Sequence, residues 1–156
     1  MVDTNVFNHA LDGKIPTNAF AGRRLLVTGI QAAELGATQK PPGRREALLA
    51  ALAQVMPAQA PASSFTFDVD GAGWDQAYWN DGSGNFEKML ERIRQLDRAG
   101  KKKPKPLNQV RDILIAETAI KNHAILVSGD SNLRRVVSEF GGRALTPAEL
   151  EDEPRP

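Results

Sequence analysis

Two short apolar runs in this chain each lead straight into a helix, and that alternation restricts the fold more than any other feature. Leu25-Leu26-Val27-Thr28 is partly β-branched and bounded too closely for a helix, so it reads as a strand followed by a helical turn or two. Ala124 to Ser128 repeats the pattern, with Asp130 or Ser131 capping a helix that closes at Gly141-Gly142. Strand feeding helix, repeated, predicts an α/β fold with a central, mostly parallel twisted sheet flanked by helices. With 156 residues, 41% of them apolar, the chain can bury one core, and residues 1–150 read as a single domain.

The remaining elements follow from local patterns. Met1 to Thr4 is the stub of a first strand, ending at Asp3, and Arg45 to Met56 is an Ala- and Leu-rich helix stopped by Pro57. Residues 57–64 read as a connector, and Phe65 to Val69 alternates like a half-exposed strand. Phe86, Met89, Leu90, Ile93 and Leu96 mark one face of a helix over 86–99, terminated by Gly100. The Lys- and Pro-rich stretch 101–106 cannot continue it and becomes a solvated loop, after which Asn108 caps a broadly apolar helix to about Lys121. Thr146, Pro147 and Glu149 open a last short helix, and the tail 151–156 is expected to fray.

Charge and cysteine usage narrow the function classes. Twenty basic against nineteen acidic residues leave a net charge of +1, so contact with a polyanion must come from local patches. The absence of cysteine excludes disulfides, thiolate catalysis and Cys-based zinc sites, and suits a reducing, cytoplasmic setting. The most apolar run, Ala47 to Met56, is far too short to span a bilayer, so no membrane association is expected.

The chemistry lies in four acids. Asp3 closes the first strand, Glu34 follows the second, Asp112 falls in the first turn of its helix, and Asp130 lies just past the strand 124–128. Ligands of open α/β sheets bind outside the carboxyl ends of the strands, so these acids are expected to converge there. Converging carboxylates repel one another and lose solvent, a cost that a divalent cation removes. A Mg²⁺ or Mn²⁺ site acting on an anionic substrate follows, with one cation activating a water and a second, or a Lys or Arg such as Arg134, stabilising the developing charge and the leaving oxygen.

At these residues the chain resembles the PIN-domain nucleases, nearest to their VapC-like toxin branch. The likeness rests on Asp3-Thr4-Asn5, Glu34-Leu35, the helix Asp112-Ile113-Leu114-Ile115-Ala116 and the strand end Val127-Ser128-Gly129-Asp130, in that order, and covers about 1–36 and 107–145. It implies a PIN-like three-layer sandwich, with Asp3, Glu34, Asp112 and Asp130 as catalytic, metal-binding acids and Asn5 and Ser128 in support. It further implies a Mg²⁺-dependent endoribonuclease, the toxin of a type II toxin-antitoxin pair held by a small antitoxin protein, and leaves room for a homodimer. Residues 37–106 match nothing in the family and form a divergent, insert-like middle segment. The alternatives are a non-catalytic RNA- or protein-binding module of the same fold and a DNA-directed nuclease.

Other residues carry weaker expectations. Lys101, Lys102, Lys103 and Lys105 lead into the Asp112 helix and, with Arg134, could hold RNA phosphates. Glu117 is five residues beyond Asp112 and need not share its face. Trp74, Tyr78 and Trp79 read as core or interface anchors before they read as platforms for bases.

Overall fold

The structure is a computed structural model that describes residues 1–15, 20, 22–38, 41–54, 57–64, 66, 68–78 and 82–154. Its elements are α1 (Thr4–Leu11), β1 (Leu26–Val27), α2 (Gly29–Gly36), α3 (Arg44–Gln54), β2 (Ala58–Gln59), α4 (Asn85–Ala99), α5 (Pro106–Lys121), β3 (Leu126–Val127), α6 (Ser131–Glu139), β4 (Ala144–Leu145) and α7 (Pro147–Asp152). The fold is mixed α/β with parallel strands. Leu26 and Val27 pair with Ala58 and Gln59, and Leu126 and Val127 pair with Ala144 and Leu145.

The first residues of the chain stitch these two strand pairs together. Val2 bridges Val127 in parallel, Asp3 N–H donates to Val127 O at 3.0 Å, and Val127 N–H donates to Met1 O at 2.9 Å. On the other side Val2 N–H donates to Leu26 O at 3.4 Å. Two two-stranded sheets, β1–β2 and β3–β4, are thus joined through residues 1–3 into one ladder-like row, in which residue 2 bridges β3 and touches β1 through that single hydrogen bond.

Side chains of this ladder alternate between two cores, as the pleat requires. Met1 and Leu126 join Met89 and Ile93 of α4, Ile113 and Leu114 of α5, and Leu133 and Val136 of α6. Val2 and Val127 join Val6 and Phe7 of α1, Leu35 of α2, Leu48 of α3 and Leu150 of α7. Helix α5 is buried along nearly its whole apolar length, as its sequence predicts.

Several elements differ from the sequence reading. Thr4 already starts α1, which the polar Asn5, Asn8 and His9 disguise, although Val6 and Phe7 bury beneath it. β2 and β4 have two residues each, too few to show any period. Helix α5 begins at Pro106 rather than behind Asn108, because a proline at the first helical position lacks only an N–H that would have no partner there. The expected strand at 65–69 is absent from its described residues, 66, 68 and 69, of which 68 and 69 lie in a turn and a bend. There Gly71 (φ +89°) packs so closely on the start of α2 that a Cβ would sit 2.2 Å from the Gly29 carbonyl carbon. The tail is tied down as far as it is described: Arg143 grips both carboxylate oxygens of Glu153 at 2.9 and 2.7 Å, and Arg23 donates to Leu150 O at 2.9 Å and to Glu153 O. No helix among the described residues is long and apolar enough to cross a membrane.

Candidate functional site

Asp3 sits where the first three residues leave the ladder, and it is 4% exposed. Its Oδ2 accepts from Ser128 Oγ at 2.5 Å and from Asn5 Nδ2 at 2.7 Å. Ser128 ends β3 and Asn5 is the second residue of α1, so two elements clasp one carboxylate oxygen. Burial pushes the Asp3 carboxyl up to about 6, with the charge of Glu34 adding to the effect and the Ser128 hydrogen bond opposing it.

Glu34 is aimed by the start of α2. Thr28 caps that helix in a capping box with Gln31, whose Oε1 accepts from Thr28 N at 2.8 Å while its Nε2 donates to Val2 O at 3.0 Å. Gln31 thereby fixes the rotation of α2 against residue 2, and Glu34 follows three residues later on the same face. The Glu34 Oε2 accepts from Thr4 Oγ1 at 2.5 Å, and its Oε1 is 3.7 Å from Arg111 Nη1. The buried Nε of Arg111 has no hydrogen-bond partner among the described residues.

Asp130 has a second structural duty as the N-cap of α6, accepting from Asn132 N at 2.8 Å and Leu133 N at 3.2 Å. Its Oδ2 lies 2.8 Å from Lys102 Nζ. Burial works against its ionisation, yet Lys102 and the two helix N–H groups hold its carboxyl below the usual range. Asp112 is unlike the other three. No hydrogen bond reaches its carboxylate among the described residues; it lines a hollow of about 360 Å³ with Asp97, Lys102, Lys103, Lys105, Asn108, Gln109 and Asp130. Burial, then the charges of Asp3, Glu34, Asp130 and Asp97, raise its pKa well above the ordinary value.

The fold thus brings all four acids within electrostatic range, with Asp112 at their centre. Among the described residues no three His, Asp or Glu side chains stand close enough to form a ready cage for a metal ion. Asp112 is a partly buried carboxylate among like charges with no hydrogen bond or ion pair of its own among the described residues, although Lys102, Lys103 and Lys105 line the same hollow.

The structure redistributes the basic residues. Arg134 Nη1 donates to Ser128 O at 2.7 Å, bracing the strand end instead of facing the hollow. Lys102, Lys103 and Lys105 line the hollow, whereas Lys101, although exposed, does not. Glu117 points away into a buried cluster, accepting from Ser63 Oγ at 2.5 Å and Ser64 Oγ at 3.0 Å and pairing with Lys121 at 3.3 Å. Trp74 and Tyr78 are 66% and 62% exposed, which overturns the core reading for both; Trp79 lies outside the described residues.

Sequence reasoning missed Asp97. Its Oδ2 accepts from Gln109 Nε2 at 2.7 Å and its Oδ1 from Asn132 Nδ2 at 2.8 Å, with Lys102 Nζ 3.5 Å away, so it ties α4, α5 and α6 together at the rim. The signal was available: Asp97 is four residues past Ile93, on the apolar face of α4, and in a last turn where the helix dipole disfavours an acid. No protein-family model matches the chain, and no curated protein matches it in sequence.

Proposed function

We propose that this chain is a PIN-like nuclease, an endoribonuclease that hydrolyses RNA phosphodiester bonds with the help of Mg²⁺ or Mn²⁺. The observation that carries the reading is Asp112, a carboxylate without a hydrogen bond among the described residues, raised in pKa by burial first and then by the charges of Asp3, Glu34, Asp130 and Asp97. Two apolar cores on opposite faces of one parallel ladder support the three-layer sandwich.

Asp3 and Asp112 would hold the cation, with Glu34 and Asp130 close enough to share its charge. A divalent cation there supplies a water of lowered pKa and positive charge beside a phosphodiester. Around it the protein's own groups have distinct tasks. Ser128 and Asn5 fix one oxygen of Asp3. Asp130, fixed at the head of α6, keeps its charge at neutral pH. Lys103 and Lys105 on the wall of the hollow attract the phosphate backbone without reading sequence.

The test is cleavage of labelled single-stranded and hairpin RNA by the purified chain with Mg²⁺, with Mn²⁺ and with EDTA. Cleavage in metal and none in chelator is expected; equal rates in all three would refute metal dependence. The lack of a ready metal cage among the described residues favours one rival, a non-catalytic binding module, which would retain RNA intact under the same conditions. The toxin role, the antitoxin partner and a cytoplasmic setting rest on the resemblance alone. A small adjacent reading frame encoding a DNA-binding protein would support them.

A further inference from the structure

Among the described residues of 60–78, the fold buries small apolar side chains and exposes large ones. Ala60, Ala62, Val69 and Ala72 are at most 8% exposed, whereas Trp74 and Tyr78 stand 66% and 62% in solvent. Burial by apolar area would order them the other way, since an aromatic ring removes far more surface from water than an alanine does. The backbone that carries the rings is pinned: Ala62 N–H donates to Gln76 O at 2.8 Å, Tyr78 N–H donates to Ala62 O at 2.9 Å, and Ala62 bridges Ala77 in parallel. Gly71 packs on Gly29, so the same segment is fixed to the first residue of α2.

The two residues that follow Trp74 line a hollow. Asp75 and Gln76 share it with Gly29, Gln59, Ala60 and Pro61, and its volume is about 290 Å³. The described residues around it bring two amides and one carboxylate but no Lys or Arg, so its chemistry suits a base edge and not a phosphate. The lysines that suit a phosphate backbone, Lys103 and Lys105, line the other hollow, with Asp112 and Asp130. Helix α2 joins the two places. It starts at the hollow with Gly29, sets Gln31 Nε2 on Val2 O and Glu34 Oε2 on Thr4 Oγ1, and reaches Glu34 after about 8 Å of helix axis.

We propose that Trp74 and Tyr78, with this hollow, form a stacking subsite for an unpaired base of single-stranded RNA, at the head of the helix that carries Glu34. An unstacked base needs a ring against its face and hydrogen-bonding groups at its edge, and both are present here on a pinned segment. The inference rests on the reading of the chain as an RNA-cleaving enzyme and adds to it a preference for unpaired RNA, because a base inside a duplex has no free face to offer.

The experiment is fluorescence-anisotropy binding of a labelled adenosine oligonucleotide, in EDTA and over a range of salt, to the purified full chain and to Trp74→Ala, Tyr78→Ala, Trp74→Phe and Tyr78→Phe. An RNA duplex of equal length serves as competitor, and melting temperatures are taken for every form. Each alanine variant should bind the single strand about tenfold more weakly. The phenylalanine variants should bind as the parent does, and the melting temperatures should not move. The slope of log affinity against log salt should also stay the same, because no phosphate contact is lost. The duplex should compete weakly. Parent-like affinity in both alanine variants, a flattened salt slope, no rescue by phenylalanine, equal binding of the duplex, or no RNA binding by the parent would each overturn the subsite. So would sedimentation in which the alanine changes convert a dimer into monomers, since the rings would then be a contact between two copies of the chain. If the single strand binds through the rings but is not cleaved with Mg²⁺ or Mn²⁺, the nuclease reading fails and the subsite stands. If RNA is cleaved and the rings are dispensable for binding, the subsite fails and the nuclease reading stands.

Discussion

Asp3 is buried and Asp112 partly buried, both have raised pKa values, and they interact with each other, but the protein treats them in opposite ways. Asp3 is clasped by Ser128 and Asn5 from β3 and α1. Asp112 is given neighbours of its own sign and no hydrogen bond among the described residues. Hydrogen bonds fix a group where the fold wants it, whereas an unmet charge stores a cost that something from outside can relieve. On the reading proposed above, the clasped side of the site positions and the bare side takes the ligand.

The largest effect is expected on chemistry. Asp3→Asn and Asp112→Asn should each lower RNA cleavage by about 100-fold or more, the scale for losing one electrostatic group in an active site. If Asp112→Asn cleaved RNA at the parent's rate, the bare side would have no functional meaning.

Stability should separate the two sides. Ser128→Ala removes the hydroxyl that donates to Asp3 and accepts from Asp130 N–H. It should cost roughly 2 kcal/mol in chelator, the scale of a hydrogen bond to a charged group. Asp112→Asn should have the opposite sign, raising metal-free stability by about 1 kcal/mol, or roughly 2–4 °C in melting temperature. Because the folded pKa of Asp112 is raised, its contribution is favourable below the unfolded carboxylate range and is lost as pH rises through the folded value. The gain from Asp112→Asn should therefore be greatest in mildly alkaline buffer and fade in acid, as melts at several pH values would show. A loss at every pH would place Asp112 among the structural acids. As a control, Tyr78→Ala, at an exposed aromatic outside both sides, should change stability by less than about 0.5 kcal/mol.

How much of this was legible in the sequence depended on length and on sign. The helices at 86–99 and 106–121 announce themselves through Met89, Ile93, Ile113 and Leu114, which recur often enough to define a face. β2 and β4 could not, since two residues carry no period and are strands only because a neighbour pairs with them. The four acids were visible as types in order, but their inequality was not. Nothing in the residues around Asp112 says that it lacks a donor, and nothing near Lys102 says that it pairs with Asp97 and Asp130. Those facts come from the left-handed turn at Lys101 and from the crossing of α4, α5 and α6 at Asp97.

The seam formed by residues 1–3 has a consequence for synthesis. Met1, Val2 and Asp3 are made well before their partners at Ile125, Val127 and Ser128, which lie some 124 positions downstream: Ser128 meets Asp3 across 125 residues, and the Met1 amino group donates to Ile125 O at 2.8 Å across 124. A contact of such sequence separation forms late, after the loop-closure entropy of the intervening chain has been met. At a synthesis rate of about 5–20 residues per second, every nascent chain spends several seconds with Asp3 exposed and the acid basin unformed. On the nuclease reading proposed above, the site is thereby withheld until β3 has been made, and chains that stop short of β3 never acquire it.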